Sequence, residues 1–216
     1  MNYGKVSGHG VLALLIFVSA GVGGFAYSFG TGQGIKHEAA RVNEERGLER
    51  RVMDVVVKRN PAATVRDFGD FPGHLLAASS RFGLDFRLVL ALIDLESEFK
   101  PGAVGAKGEI GLMQVMPTTA ADVVAGLEMK DYEPPSRAKT GGYVSLGTLG
   151  DPKLNVLIGL AYLARMRDQF GPGPTMLQAY NRGPGKAHEH RPEDRYAEKV
   201  ALKFFTLTAA EGHDHR

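Results

Sequence analysis

Hydrophobic positions change character three times along the chain. From Val11 to Phe29 no charge interrupts them, in VLALLIFVSAGVGGFAYSF, about 19 residues and roughly the length needed to cross a bilayer core. From Lys36 to Asn60 they thin to Val42, Leu48, Val52, Val55 and Val56 among dense charge, in a loose helical period. From about Phe71 to Ala210 they recur at helical spacing in short blocks joined by glycine-rich turns.

The first stretch reads in two ways. It is either an N-terminal anchor that leaves Lys5 in the cytoplasm, or a signal peptide with its apolar region over Val11–Val18 and cleavage after Ala20. A soluble buried helix fits poorly, because Gly21, Gly23 and Gly24 would cost about 1 kcal/mol each. Both readings export the rest of the chain, with the catalytic-size domain in the periplasm. The charged stretch is expected to be a solvated juxtamembrane stalk helix within 31–70, stopped at Asn60-Pro61, with a partner-binding helix as the other reading.

In the third stretch the spacing predicts helices over His74–Phe82, closed by Gly83, and from Phe86 to about Phe99, capped by Asp85. Others are expected over Thr118–Ala125, Leu154–Phe170, Met176–Tyr180 and from Arg195 to about Ala209. The fold class is therefore all-α, a helical domain over 71–210 with a polar tail at 211–216. The segment 128–150 is too polar and too long for a plain connector, and is either a lid or substrate loop or a tolerated insertion.

Composition narrows the function. The chain has 216 residues, with 26 basic against 24 acidic side chains, a net charge of +2 that gives nucleic-acid binding no support. Cysteine is absent, which excludes disulfides, thiolate metal sites and a cysteine nucleophile. His188, Glu189 and His190, and His213, Asp214 and His215, lack the spacing of a metal site, so neither metal nor organic cofactor is expected. Ser79, Ser80 and Ser97 have no histidine base in a plausible motif.

One carboxylate stands out. In FRLVLALIDLESEF the apolar stripe runs through Phe86, Val89, Leu92 and Ile93 to Glu96, while Arg87, Asp94 and Glu98 are expected to face solvent. Burial and the negative end of the helix dipole both raise the proton affinity of Glu96, as a general acid near neutral pH requires. Taken alone, Glu96 reads rather as a cap for a neighbouring backbone amide.

It is followed by Ser97, Gly105, Gly108, Gly111-Leu112-Met113-Gln114 and Pro117, then Asn155, Gly159, Tyr162 and Leu163, then Ala179-Tyr180-Asn181-Arg182-Gly183, and last Tyr196 and Val200. This ordered set resembles the lytic transglycosylases with an SLT domain, glycoside hydrolase family 23, which share the goose-type lysozyme fold. The resemblance covers about Phe71 to Leu207. It implies a lysozyme-like domain with Glu96 as the single catalytic acid and Tyr180 as the tyrosine that orients it. It implies substrate-binding roles for Ser97, Gly111, Met113, Gln114, Asn181 and Tyr196, although Met113 and Tyr196 serve equally as core residues. The implied substrate is the glycan strand of peptidoglycan, cut at the β-1,4 bond between MurNAc and GlcNAc. The implied route has no second carboxylate. Glu96 acts as acid and then base, the substrate acetamido group assists, and a 1,6-anhydro-MurNAc end results.

Glu109, on the glycine-rich loop, is the one alternative second carboxylate, and otherwise a solvent-facing loop charge. A water-using muramidase and a non-catalytic glycan-binding or assembly protein on the same fold are the competing functions. Partners implied by the family are the inner membrane, through the N-terminal segment, and secretion, conjugation or flagellar machinery.

Overall fold

The computed structural model describes residues 32–139, 141–189 and 195–211. The apolar segment Val11–Phe29, the proposed cleavage site at Ala20, and His190, His213 and His215 lie outside the described residues. No described helix is long and apolar enough to cross a membrane. Two compact units divide the chain, Met1–Ala39 and Ala40–Arg216. Of the first, the described part is helical from Gly32 onward.

The helices are α1 (Gly32–Arg59), α2 (Val65–Phe68), α3 (Phe71–Phe82), α4 (Phe86–Glu96), α5 (Pro117–Gly126), α6 (Pro152–Phe170), α7 (Pro174–Arg182) and α8 (Tyr196–Glu211). Local chemistry sets their ends. Proline sits in the first turn of α3, α5, α6 and α7, where its missing N–H costs nothing. Asp85 caps α4 through the Arg87 amide at 2.9 Å, and Asp151 caps α6 through the Lys153 and Leu154 amides, each at 2.9 Å. Gly83 closes α3 in the left-handed conformation.

Helix α4 is the axis of the second unit. Every residue from Val89 to Asp94 is buried, because α8 packs along it and α3 lies beside it. Helix α6 packs against α3, α5 and α7. At Gly159 of α6 the loop residue Met113 packs so closely that an added Cβ would stand 2.5 Å from its sulfur.

Four features differ from the sequence-based picture. Helix α3 begins at Phe71, three residues early, because Pro72 suits a first turn. Helix α4 ends at Glu96 rather than near Phe99, since Glu98 and Phe99 take left-handed φ values of 51° and 57°. The charged segment is not wholly solvated: Val52 and Val56 are fully buried in the core, and the Asn60 amide donates to the Phe99 carbonyl at 2.8 Å. The fold is not purely helical either. Within 128–150, Ser136–Arg137 (β1) pairs antiparallel with Tyr143–Ser145 (β2), two strands too short to show an alternating pattern.

Candidate active site

The end of α4 brings Glu96 to the floor of a cleft of about 510 Å³. Its walls include Glu109 and Gln114 from the loop before α5, Tyr162 from α6, Tyr180 and Asn181 from α7, and Lys107 and Lys186 at the rim. A larger groove, floored by Leu88, Leu177, Val200 and Phe204, is predominantly apolar and does not contain Glu96.

Glu96 is half-buried. Burial raises its carboxyl above the ordinary value; the Tyr196 hydroxyl, which donates to Oε1, opposes that shift, and the charge of Glu109 adds to it. The outcome is a carboxyl that keeps its proton to higher pH than a surface glutamate does. Burial also drives the Tyr180 and Tyr196 hydroxyls well above their usual value, with Glu96 as the next cause, so both stay neutral donors.

The loop from Gly105 to Gln114 is held to its shape by buried polar contacts. Asn155 of α6 is fully buried and has its whole side chain engaged. Its Oδ1 accepts from the Met113 amide at 2.9 Å, and its Nδ2 donates to the Ile110 and Leu149 carbonyls, each at 2.9 Å. Gly111 has a φ of 80°, and a Cβ there would lie 2.2 Å from Asn155 Nδ2, so the position tolerates no side chain. The hairpin braces the same loop from outside. The Tyr143 hydroxyl donates to the Gly108 carbonyl at 2.9 Å, and the Arg137 guanidinium lies over the Tyr143 ring. The segment 128–150 therefore buttresses the wall that carries Glu109.

The residues singled out in the sequence divide into two groups. Gln114, Tyr180 and Asn181 line the cleft beside Glu96. Gln114 has a left-handed φ of 46° and donates through Nε2 to the Gly111 carbonyl at 2.8 Å. Ser97, Gly111 and Met113 stand behind the wall. The Ser97 hydroxyl is 6% exposed and donates to the Leu112 carbonyl at 2.8 Å, tying the end of α4 to the loop. Met113 is fully buried against Gly159.

The two tyrosines differ from their expected places. Tyr180 donates its hydroxyl to the Met113 carbonyl at 2.7 Å, while the hydrogen bond to Glu96 comes from Tyr196. Tyr196 opens α8, which folds back along α4, a contact across 100 positions of chain that no local spacing announces.

Glu109 faces the cleft rather than open solvent, and its Oε2 accepts from the Lys107 amide at 2.9 Å. Asp94 does not face solvent: it is 3% exposed and paired with Arg59 at 3.2 Å and Lys203 at 2.8 Å, because α8 and the end of α1 cover that side of α4. Glu98, past the end of α4, is exposed as expected and pairs with Lys100. The sequence reading missed the cleft positions of Lys107 and Lys186, which belong to no periodic pattern.

Comparison with known proteins agrees with this architecture. The family model of the transglycosylase SLT domain matches residues 74–202, more than half of the chain, and the chain belongs to that family. Membrane-bound lytic murein transglycosylase C of Haemophilus influenzae (strain PittGG) is 35% identical over 116 residues, covering 50% of this chain and 30% of that protein. Its counterpart in Glaesserella parasuis serovar 5 (strain SH0165) is also 35% identical over 116 residues, covering 50% of this chain and 29% of that protein. The match thus spans under a third of these relatives' own length. The X-ray structure of an inactive mutant of lytic transglycosylase Slt from Pseudomonas aeruginosa superposes with a TM-score of 0.53 at 22% identity, covering 84% of this chain and 34% of that one. That likeness is one of fold.

Proposed function

We propose that the chain is a peptidoglycan lytic transglycosylase that cleaves the β-1,4 bond between MurNAc and GlcNAc. The observation that carries the reading is Glu96: a half-buried carboxyl with raised proton affinity, on the floor of a polar cleft in an SLT-family fold. The names of its relatives, membrane-bound lytic murein transglycosylases, point to the same substrate.

In the proposed route, protonated Glu96 donates its proton to the glycosidic oxygen as the bond to C1 breaks. The acetamido oxygen of MurNAc attacks C1 and holds it as a cyclic intermediate. Glu96, now a carboxylate, takes the proton of the C6 hydroxyl. The C6 oxygen then displaces the acetamido oxygen from C1 and closes a 1,6-anhydro ring. Tyr196 steadies the carboxylate through its hydroxyl. Gln114 and Asn181 supply amide groups on the cleft wall for the polar substituents of the sugars. Tyr180 holds the wall by its bond to the Met113 carbonyl.

Glu109 supports a second reading. It shares the cleft with Glu96, and two carboxylates across a cleft are the arrangement a water-using glycosidase needs. Mass spectrometry of muropeptides released from purified sacculi separates the two. Anhydro ends, lighter by one water than reducing ends, with unchanged product from Glu109→Gln, are the expected result. Reducing ends that vanish in Glu109→Gln would establish the muramidase. Export through the Val11–Phe29 segment, and action outside the inner membrane beside a secretion, conjugation or flagellar machine, belong to the same proposal.

A further inference from the structure

Helix α8 touches α4 at two polar points. Tyr196, its first residue, donates to Glu96, and Lys203 pairs with Asp94 at 2.8 Å. Tyr196 and Lys203 are seven residues apart, two turns on one side of α8. Asp94 and Glu96 are two residues apart in the last turn of α4. The Asp94 Oδ2 that accepts from Lys203 also receives Arg59, the last residue of α1, at 3.2 Å. Asp94 is 3% exposed, whereas the side chains of Arg59 and Lys203 are 36% and 28% exposed. One buried carboxylate thus gathers two cations from two helices that flank the catalytic one.

We infer that Asp94 is a positioning residue: by holding Lys203 and Arg59 it keeps α8 in register on α4 and so keeps the Tyr196 hydroxyl on Glu96. Helix α7 also packs against α8, and Arg195, the residue before Tyr196, pairs with exposed Glu198. Apolar packing and the Arg87 guanidinium over the Phe204 ring join α8 to α4 without fixed polar geometry, whereas the Lys203–Asp94 pair fixes a point. The proposal makes the end of the charged α1 helix part of the catalytic arrangement.

Electrostatics and positioning predict opposite results, which makes the inference testable. The groups facing Glu96 are Tyr196 from α8, Tyr180 from α7 and Glu109 from the loop, with Lys107, Tyr162, Arg182 and Lys186 on the cleft walls. Those facing Asp94 are Arg59 and Lys203, and Lys203 also acts on Glu98. Asp94→Asn removes a negative charge two residues from Glu96 and leaves Arg59 and Lys203 without their carboxylate. By charge alone this would lower the proton affinity of Glu96. Loss of the Tyr196 hydrogen bond, which favours the charged form, would instead raise it.

The experiment follows the Glu96 carboxyl by 13C NMR in full-length protein in detergent micelles, with the signal assigned by its loss in Glu96→Gln. A parallel arm measures the pH profile of kcat for muropeptide release. The kinetic arm rests on the activity proposed above, and the NMR arm does not. In Asp94→Asn the Glu96 midpoint and the basic limb of kcat should move up by roughly one to two pH units, the scale of one hydrogen bond to a charged group. Lys203→Met should move them the same way, and Lys203→Arg should restore the wild-type profile. Tyr196→Phe should shift the midpoint similarly and show no further shift when combined with Asp94→Asn. Asp122→Asn, which breaks the exposed pair with Arg165, should leave the profile unchanged. A midpoint in Asp94→Asn that falls or stays put, or shifts that add in the double variant, would overturn the inference. If Asp94→Asn does not fold, Lys203→Met combined with Tyr196→Phe decides: no shift beyond that of Tyr196→Phe alone is expected, and shifts that add would overturn the inference. Wild-type protein that releases no muropeptide would refute the proposed activity, while the NMR titration still decides on Asp94.

Discussion

Asn155 is the polar residue on which the cleft loop depends most, and its replacement by Ala gives a sharp test. The variant removes the partner of the Met113 amide and one donor each from the Ile110 and Leu149 carbonyls. Ile110 keeps the Val115 amide at 3.0 Å, so its carbonyl stays bonded. The Met113 amide and the Leu149 carbonyl lose the Asn155 bond in a site with no solvent access. At roughly 1–3 kcal/mol for each buried group left unmet, the loss is about 2–6 kcal/mol. Whole domains are stable by about 5–15 kcal/mol, so the variant should fold weakly. Urea unfolding at constant m-value reads the change directly as a shift in midpoint. Asn155→Asp sharpens the test. A carboxylate keeps the Met113 amide satisfied but turns an oxygen on two carbonyls. Its proton affinity in the fold must therefore rise above that in the unfolded chain. A group so raised contributes stability that is full below the unfolded value, about 3.9 for Asp, and is lost as pH rises through the folded value. The Asp variant should be closest to wild type in acid and fall away toward neutrality. An Ala variant within about 0.5 kcal/mol of wild type, below the usual worth of one hydrogen bond, or an Asp variant with flat pH dependence, would refute the reasoning.

Glu96→Gln should fold and should lose at least about a hundredfold in muropeptide release, the scale of losing a general acid. The raised proton affinity of Glu96 also works on stability: its contribution is full in acid and declines as pH rises through the native value, so Glu96→Gln should gain on wild type in urea midpoint from about pH 4 to about pH 7. Gly159→Ala would place a Cβ 2.5 Å from the Met113 sulfur and 2.8 Å from its Cβ, and should destabilise by about 1–3 kcal/mol in thermal or urea unfolding. Tyr143→Phe removes the donor to the Gly108 carbonyl and should cost about 1 kcal/mol, with a larger effect on KM than on kcat, because the hairpin braces a wall rather than the acid.

Local chemistry accounts for part of the architecture. The starts of α4 and α6 follow from Asp85, Asp151 and Pro152, whose capping acts within three residues. The position of Glu96 on the apolar stripe follows from a period of 3.6, and the ordered family residues placed it within a site before any fold was known. Packing between helices selects which partners these residues meet. Asp94 reads as a solvent-facing charge on an isolated helix, and becomes buried because Arg59 and Lys203 arrive from helices on either side in the chain. Tyr196, not Tyr180, reaches Glu96 because α8 folds back along α4. Ser97 and Met113 carry apt chemistry for a sugar but stand behind the wall, held by Leu112 and Gly159. The paired strands within 128–150 left no pattern, since two and three residues are too few for an alternation to show. Caps and helical periods are energies between near neighbours in sequence, so they can be read along it. Burial and hydrogen-bond partners are energies between neighbours in space, and they exist only once the helices have packed.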